Sequence, residues 1–100
     1  MPYNSKAFGI VIARLRVQKG LSQETASGLA GIARSHLVML ENGKKTVRLD
    51  TLWRIAEALD IRPGELVRLV EQEAEQRAET EERRRVEAAA NKAAREKSGR

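Results

Sequence analysis

The sequence predicts an all-α protein in which five helices form one small domain and a charged helical extension follows them. Three observations indicate this fold class. Apolar residues recur every three or four positions along the first 70 residues, which is the spacing of an amphipathic helix. Capping residues and glycines interrupt this pattern at short intervals. Beyond Val70, Val86 is the one large apolar residue, so the last 30 residues cannot bury a core of their own.

Capping residues and glycines delimit the first two helices. Asn4 or Ser5 supplies the N-cap of the first helix, and Gly20 ends it because glycine readily takes the left-handed conformation that follows a helix. Ser22 caps the second helix, which Gly31 stops after about two turns. The apolar residues of the first helix are Phe8, Val11, Ile12 and Leu15, and the second helix runs from Gln23 to about Ala30.

Three further helices follow. The third is predicted from Arg34 to about Glu41, with Asn42-Gly43 as its stop. The fourth runs from about Leu49 to Leu59, and Trp53, beside its apolar stripe, is expected to pack against the core. Pro63 suits the first position of a fifth helix.

Charge is distributed unevenly along the chain. Residues 1–70 carry 11 Lys and Arg against 6 Asp and Glu, so the whole net charge of +5 lies there and indicates a polyanionic partner. We therefore divide the chain into a domain at residues 5–70 and an extension at 71–100. The extension has eight residues of each sign and no Pro or Gly before Gly99, so it is expected to continue the fifth helix as a solvated, fraying helix. An Ala-rich surface for a partner is the alternative.

The composition argues against several classes of function. With no cysteine and one histidine, the chain offers no zinc or haem ligand set and no thiol nucleophile. We therefore expect no metal, no cofactor, no small-molecule ligand and no enzymatic activity. No apolar stretch approaches the roughly 18 residues of a membrane span or forms a signal peptide, so we expect a cytoplasmic protein without a membrane partner.

The stretch Gln23–Asn42 carries the main functional signal. Two short helices joined by a tight turn at Gly31 are typical of a helix-turn-helix, which sets its second helix in the major groove of double-stranded DNA. Arginine can bind guanine, serine can donate or accept, and valine or methionine can contact a thymine methyl group. The predicted base-contacting residues are Arg34, Ser35, Val38 and Met39, and the predicted phosphate-contacting residues are Gln23, His36, Asn42, Lys44, Lys45 and Arg48.

Residues 8–67 resemble the Xre family, the helix-turn-helix domain of phage Cro and lambda-type repressors. The matching residues are Phe8-Gly9, Ile12, Leu15-Arg16, Gly20-Leu21-Ser22-Gln23, Gly31-Ile32, Leu37, Leu40-Glu41-Asn42-Gly43, Leu52, Ile55-Ala56, Ala58-Leu59 and Leu66. The resemblance implies a five-helix, lambda-repressor-like DNA-binding domain that is usually dimeric. It aligns Arg34, Ser35 and Met39 with base-reading positions and Gln23 and Asn42 with phosphate contacts. It also implies an internal ion pair between Arg16 and Glu41.

These observations predict a dimeric transcriptional repressor. Two recognition helices must reach half-sites one helical turn, about 34 Å, apart, so a homodimer interface is needed. Val67, Val70 and Ala74 are expected to be left over by the five-helix core and to form that interface. The alternative is a protein-interaction module, such as an antitoxin that neutralises a partner toxin and autoregulates its operon.

Overall fold

The structure is a computed structural model that describes residues 2–98, and the regular secondary structure of this part of the chain consists of five α-helices. Gly99 and Arg100, the last two residues of the predicted extension at 71–100, lie outside the described residues. The helices are α1 (Ser5–Gln18), α2 (Gln23–Ala30), α3 (Arg34–Glu41), α4 (Leu49–Ala58) and α5 (Pro63–Ser98). The predicted fold class is confirmed, and α4 ends one residue before its predicted end.

Side chains cap the first two helices as the sequence indicates. The Asn4 Oδ1 atom accepts a hydrogen bond from the Ala7 N–H at 3.0 Å, and the Ser22 Oγ atom accepts one from the Thr25 N–H at 3.0 Å. Each bond satisfies a backbone donor that has no partner within its own helix. Ala33, which precedes α3, makes no such bond.

The first four helices end in the same way. After each helix one residue has a positive φ, and its N–H bonds to a carbonyl three residues back while the next N–H bonds to a carbonyl five residues back. Glycine occupies this position at the ends of α1, α2 and α3, and Asp60, with φ of 54°, occupies it at the end of α4. These tight endings let consecutive helices change direction within a few residues.

The core lies where α1 contacts α3 and α5, and where α2 contacts α4. Phe8, Ile12, Leu40 and Leu66 are among its fully buried side chains. The backbones of α1 and α3 approach so closely that a Cβ atom on Gly9 would lie 2.4 Å from the Glu41 carbonyl oxygen. Within the described residues, no helix has an apolar stretch long enough to cross a membrane.

Helix α5 runs without a break from the domain into the extension. Its 36 residues give a length of about 54 Å at 1.5 Å per residue. The expectation that Val70 and Ala74 are left over by the core is wrong, because α5 packs along α1 and buries both side chains. Arg14 of α1 also pairs with Glu73 of α5 at 2.8 Å. Val67 remains exposed, and the side chains of residues 78–97 all face solvent.

Trp53 does not pack against the core as expected. Its side chain is 56% exposed, whereas Leu52, Ile55 and Leu59 of the same helix are buried. The reason is its angular position on α4: Trp53 lies next to the apolar stripe but on the side where no other described helix covers it.

Candidate nucleic-acid interface

Buried small and apolar side chains pack on the core-facing side of the α2–turn–α3 pair. Ala26 and Ala30 of α2 are buried, as are Leu37 and Leu40 of α3. The left-handed Gly31 forms the turn between the helices. The pairing of small alanines with larger leucines fixes the orientation of α3 and leaves its opposite face in solvent.

Glu41, the last residue of α3, is the centre of a side-chain network. Its carboxylate accepts two hydrogen bonds from the Arg16 guanidinium, at 2.7 and 3.1 Å, and one from the Gln23 amide at 2.9 Å. Arg16 also donates to the Leu21 carbonyl oxygen at 2.8 Å. The ion pair that the family resemblance implies is therefore present, and it ties the end of α3 to α1 and to the start of α2.

The network is largely shielded from water, since the Glu41 and Arg16 side chains are 6% and 16% exposed. Hydrogen bonding to the Glu41 carboxylate raises the pKa of the Arg16 guanidinium, and partial desolvation opposes this effect. Because its pKa is raised, the Arg16 guanidinium is cationic at neutral pH.

The four predicted base-contacting residues lie together on the outer face of α3. Arg34 and Ser35 are exposed, Met39 is 38% exposed and Val38 is half-buried. Their spacing places them on one side of the helix, opposite Leu37 and the other core-facing residues. The face thus combines a guanidinium, a hydroxyl and two apolar side chains, which are the groups needed to read base edges in a major groove.

The predicted phosphate-contacting residues surround this face but differ in their surroundings. Asn42, Lys44 and Lys45 are exposed in the segment after α3, and His36 is half-buried. Arg48 is exposed, and its Nε atom forms an ion pair with the Asp50 Oδ1 atom at 3.4 Å. The Gln23 amide, which was expected to contact phosphate, is already bonded to Glu41.

Lys6 also belongs to this basic group, although no pattern in the sequence indicates it. A Cβ atom on Gly43 would lie 2.8 Å from the Lys6 Cγ atom, so the exposed Lys6 sits beside the end of α3 and the lysines that follow it. The two segments are far apart in sequence, and only the packing of α1 on α3 brings them together. The spacing of residues within one helix contains no signal for such a contact.

Comparisons with known proteins agree on the type of domain. A family model described as helix-turn-helix matches residues 12–66. The uncharacterised HTH-type transcriptional regulator y4dJ of Sinorhizobium fredii is 39% identical over 62 residues, which span 62% of this chain and 80% of that protein.

Two solved structures extend the comparison. The restriction-modification controller protein C.AhdI from Aeromonas hydrophila has a TM-score of 0.61 and 44% sequence identity, over 62% of this chain and 94% of its own. The clp gene regulator ClgR from Corynebacterium glutamicum has a TM-score of 0.74 over 88% of this chain and 95% of its own. At 22% identity, the likeness to ClgR shows a shared fold.

Proposed function

The chain belongs to the helix-turn-helix family, and from this premise we propose that it is a transcriptional regulator that binds specific sequences of double-stranded DNA through α3. The observation that carries the proposal is the outer face of α3, where the guanidinium and hydroxyl of Arg34 and Ser35 stand beside Val38 and Met39 on a helix anchored through Glu41. An anchored helix can present these groups to base edges at a fixed depth in the groove.

We assign base and backbone contacts to different residues. Arg34 binds guanine through two hydrogen bonds, and Val38 and Met39 contact thymine methyl groups. Lys44 and Lys45 bind phosphates, which add affinity without sequence information. Gln23 keeps a phosphate contact in this scheme because its amide has a second N–H besides the one bonded to Glu41.

The functional unit that we propose is a homodimer on a two-fold symmetric operator. One α3 helix reads about half a turn of DNA, and two copies read half-sites one helical turn apart. Dimerisation adds the binding free energies of two weak half-site contacts, which gives the affinity that a regulator needs at physiological salt.

Duplex binding measured across a salt series tests this proposal. If a dimer neutralises about 6–10 phosphates, the logarithm of the binding constant should fall against the logarithm of salt concentration with a slope of about −5 to −9. Unrelated duplexes of the same length serve as controls and should bind far more weakly at physiological salt. A flat salt response, or equal affinity for every sequence, would contradict the proposal.

A further inference from the structure

The part of α5 that continues past the domain carries its charges in two stretches of opposite sign. Residues 71–82 contain six Glu and one Arg, whereas residues 83–97 contain six Lys and Arg and two Glu. The side chains of residues 78–97 are exposed, and this segment lies outside the matched helix-turn-helix residues 12–66. The contacts that the family implies therefore assign no role to the basic stretch.

The helical repeat places most of the acidic residues on the side of α5 that faces away from the domain. We call the opposite side, which packs on the domain and includes the buried Val70 and Ala74, the inner face of α5. Four of the six glutamates of residues 71–82 lie on the side opposite to the inner face and are exposed: Glu71, Glu75, Glu79 and Glu82.

Beyond the domain, the inner face becomes basic. Arg77 is half-buried on it, and Arg84 and Arg95 follow 7 and 18 residues later, which is about two and five whole turns of an α-helix. These three guanidinium groups therefore lie on one side, with Lys92 at its edge. Glu81 is an acidic residue on the same side, between Arg77 and Arg84. From Arg84 to Arg95 the inner face is basic over about three turns.

Helix α5 leaves the domain beside the first turn of α1. The two helices run in opposite directions, since Arg14, late in α1, pairs with Glu73 at 2.8 Å. Farther along α5, Ala78 and Glu81 line a groove together with the residues that begin α1, among them Lys6. The basic stretch therefore starts where α1 begins.

The same end of the domain carries the proposed phosphate contacts. Lys6 lies against Gly43, the residue directly before Lys44 and Lys45. Helix α1 packs against α5 on one side and against α3 on the other. Past the first residues of α1, the inner face of α5 therefore points toward the side of the domain on which Lys6 and Lys44 lie.

We propose that the inner face of the extension, with Arg84, Lys92 and Arg95, is a second DNA-binding surface that contacts the phosphate backbone of the duplex read by α3. This inference rests on the proposed function. Arg84 and Arg95 are 11 residues apart, about 16 Å along the helix, which is the rise of about five base pairs. Repulsion between phosphates and the glutamates on the opposite side favours the orientation in which the basic side faces the duplex.

Two double variants with the same loss of charge test the proposal in the full chain. Arg84→Gln with Arg95→Gln removes two charges from the inner face, and Arg83→Gln with Lys97→Gln removes two from other sides of the helix. We measure binding to the duplex selected by the native chain across a salt series. Each lost phosphate contact reduces the steepness of log K against log salt by about 0.9, so the inner-face variant should lose about 2 per protomer.

The control variant should change this slope by less than about 0.5 per protomer. The inner-face variant should also weaken specific and unrelated duplexes by the same factor, because phosphate contacts contain no sequence information. Circular dichroism verifies that both variants are as helical as the native chain. Equal slopes for the two variants would overturn the proposal, since the effect would then follow net charge and not the inner face.

Photo-crosslinking locates the surface without removing any charge. The chain has no cysteine, so Ala88→Cys on the inner face and Ala90→Cys on the opposite side each provide a single site for a benzophenone label. In the complex with the selected duplex, the label at position 88 should crosslink to DNA at least about fivefold more than the label at position 90. Equal yields would overturn the proposal.

The two proposals fail in different ways. A native chain that binds no duplex specifically would contradict the proposed function and this inference together. Specific binding by the native chain, with the same slope for the inner-face variant, would contradict this inference alone. That second result is the one expected if an acidic protein, and not DNA, occupies the basic stretch.

Discussion

Glu41 links three helices through two partners. It accepts hydrogen bonds from Arg16 of α1 and from Gln23 of α2, and it is itself the last residue of α3. A carboxylate that is 6% exposed is stable only when such partners compensate for its lost hydration. The position of α3 therefore depends on one buried ionic group.

Replacing Glu41 with alanine should destabilise the domain strongly. The change leaves the Arg16 guanidinium, which is 16% exposed, without its carboxylate, and stranding one member of a buried pair typically costs about 3–5 kcal/mol. The matched control is Glu24→Ala, since Glu24 is exposed in the first turn of α2 and should contribute less than about 1 kcal/mol. Urea denaturation followed by circular dichroism compares the two. Equal unfolding midpoints would show that the network does not anchor α3.

Asp60 is the one described non-glycine residue with a positive φ. Left-handed backbone costs a residue with a Cβ atom about 1–2 kcal/mol, and substitution by glycine removes this cost. The larger conformational entropy of glycine in the unfolded chain offsets part of the stability gained. Asp60→Gly should therefore stabilise the protein by about 0.5–1 kcal/mol and raise its melting temperature by a few degrees.

Asp60→Ala is the control for this substitution. Like the glycine substitution, it removes the exposed ion pair between the Lys19 Nζ atom and the Asp60 carboxylate at 3.6 Å, which contributes little to stability. Unlike glycine, alanine keeps the Cβ atom. Alanine should leave the melting temperature unchanged or lower it. If glycine and alanine had the same effect, backbone strain at this position would not be the cause.

At the scale of elements, local signals in the sequence were sufficient to predict where α1 and α2 begin and where α1, α2 and α3 end. Asn4 and Ser22 are caps, and Gly20, Gly31 and Gly43 supply the left-handed residues that follow α1, α2 and α3. These signals lie within five residues of the helix end that they define, so they can be recognised in the sequence without knowledge of the tertiary packing. Helix-turn-helix spacing then placed the four predicted base-contacting residues on one face.

Contacts between distant elements were not predictable in the same way. Val70 and Ala74 follow a pattern that fits either a core or an interface, and only the packing of α5 along α1 decides between them. Trp53 lies close enough to a buried stripe for its spacing to suggest burial, yet no described element covers it. The hydrogen bond between Gln23 and Glu41 likewise depends on how α2 and α3 cross.

Helix α5 should be divisible into a part that stabilises the domain and a part that does not. Among the described side chains, truncation after Ala78 removes only the exposed ones of residues 79–97, so the free energy of unfolding should change by less than about 1 kcal/mol. Truncation after Leu69 also removes the buried Val70 and Ala74 and should cost about 2–4 kcal/mol. Urea denaturation of both shortened chains tests this. A large loss after truncation at Ala78 would mean that the extension packs on the domain.

At the scale of the whole molecule, three regions differ in their balance of basic and acidic residues. The α3 side carries Arg34, Lys44 and Lys45, with Lys6 beside them, and suits a polyanion. The outer side of α4, where Leu49 and Trp53 are exposed, is lined by three basic and three acidic residues and is close to neutral. The extension at 71–97 is acidic near the domain and basic beyond residue 82, so two parallel extensions would repel each other. We therefore expect the extensions of a dimer to remain apart.

Selection of bound sites from random duplex DNA tests the central claim, that α3 reads DNA sequence, most directly. The native chain should enrich one two-fold symmetric site with half-sites about 34 Å apart. Arg34→Ala should lose preference at one base pair in each half-site, at a cost of about 1–3 kcal/mol, whereas Lys44→Ala should weaken all sites alike and leave the preferred sequence unchanged. No enriched sequence, or a preferred base that changes with Lys44→Ala and not with Arg34→Ala, would contradict the claim.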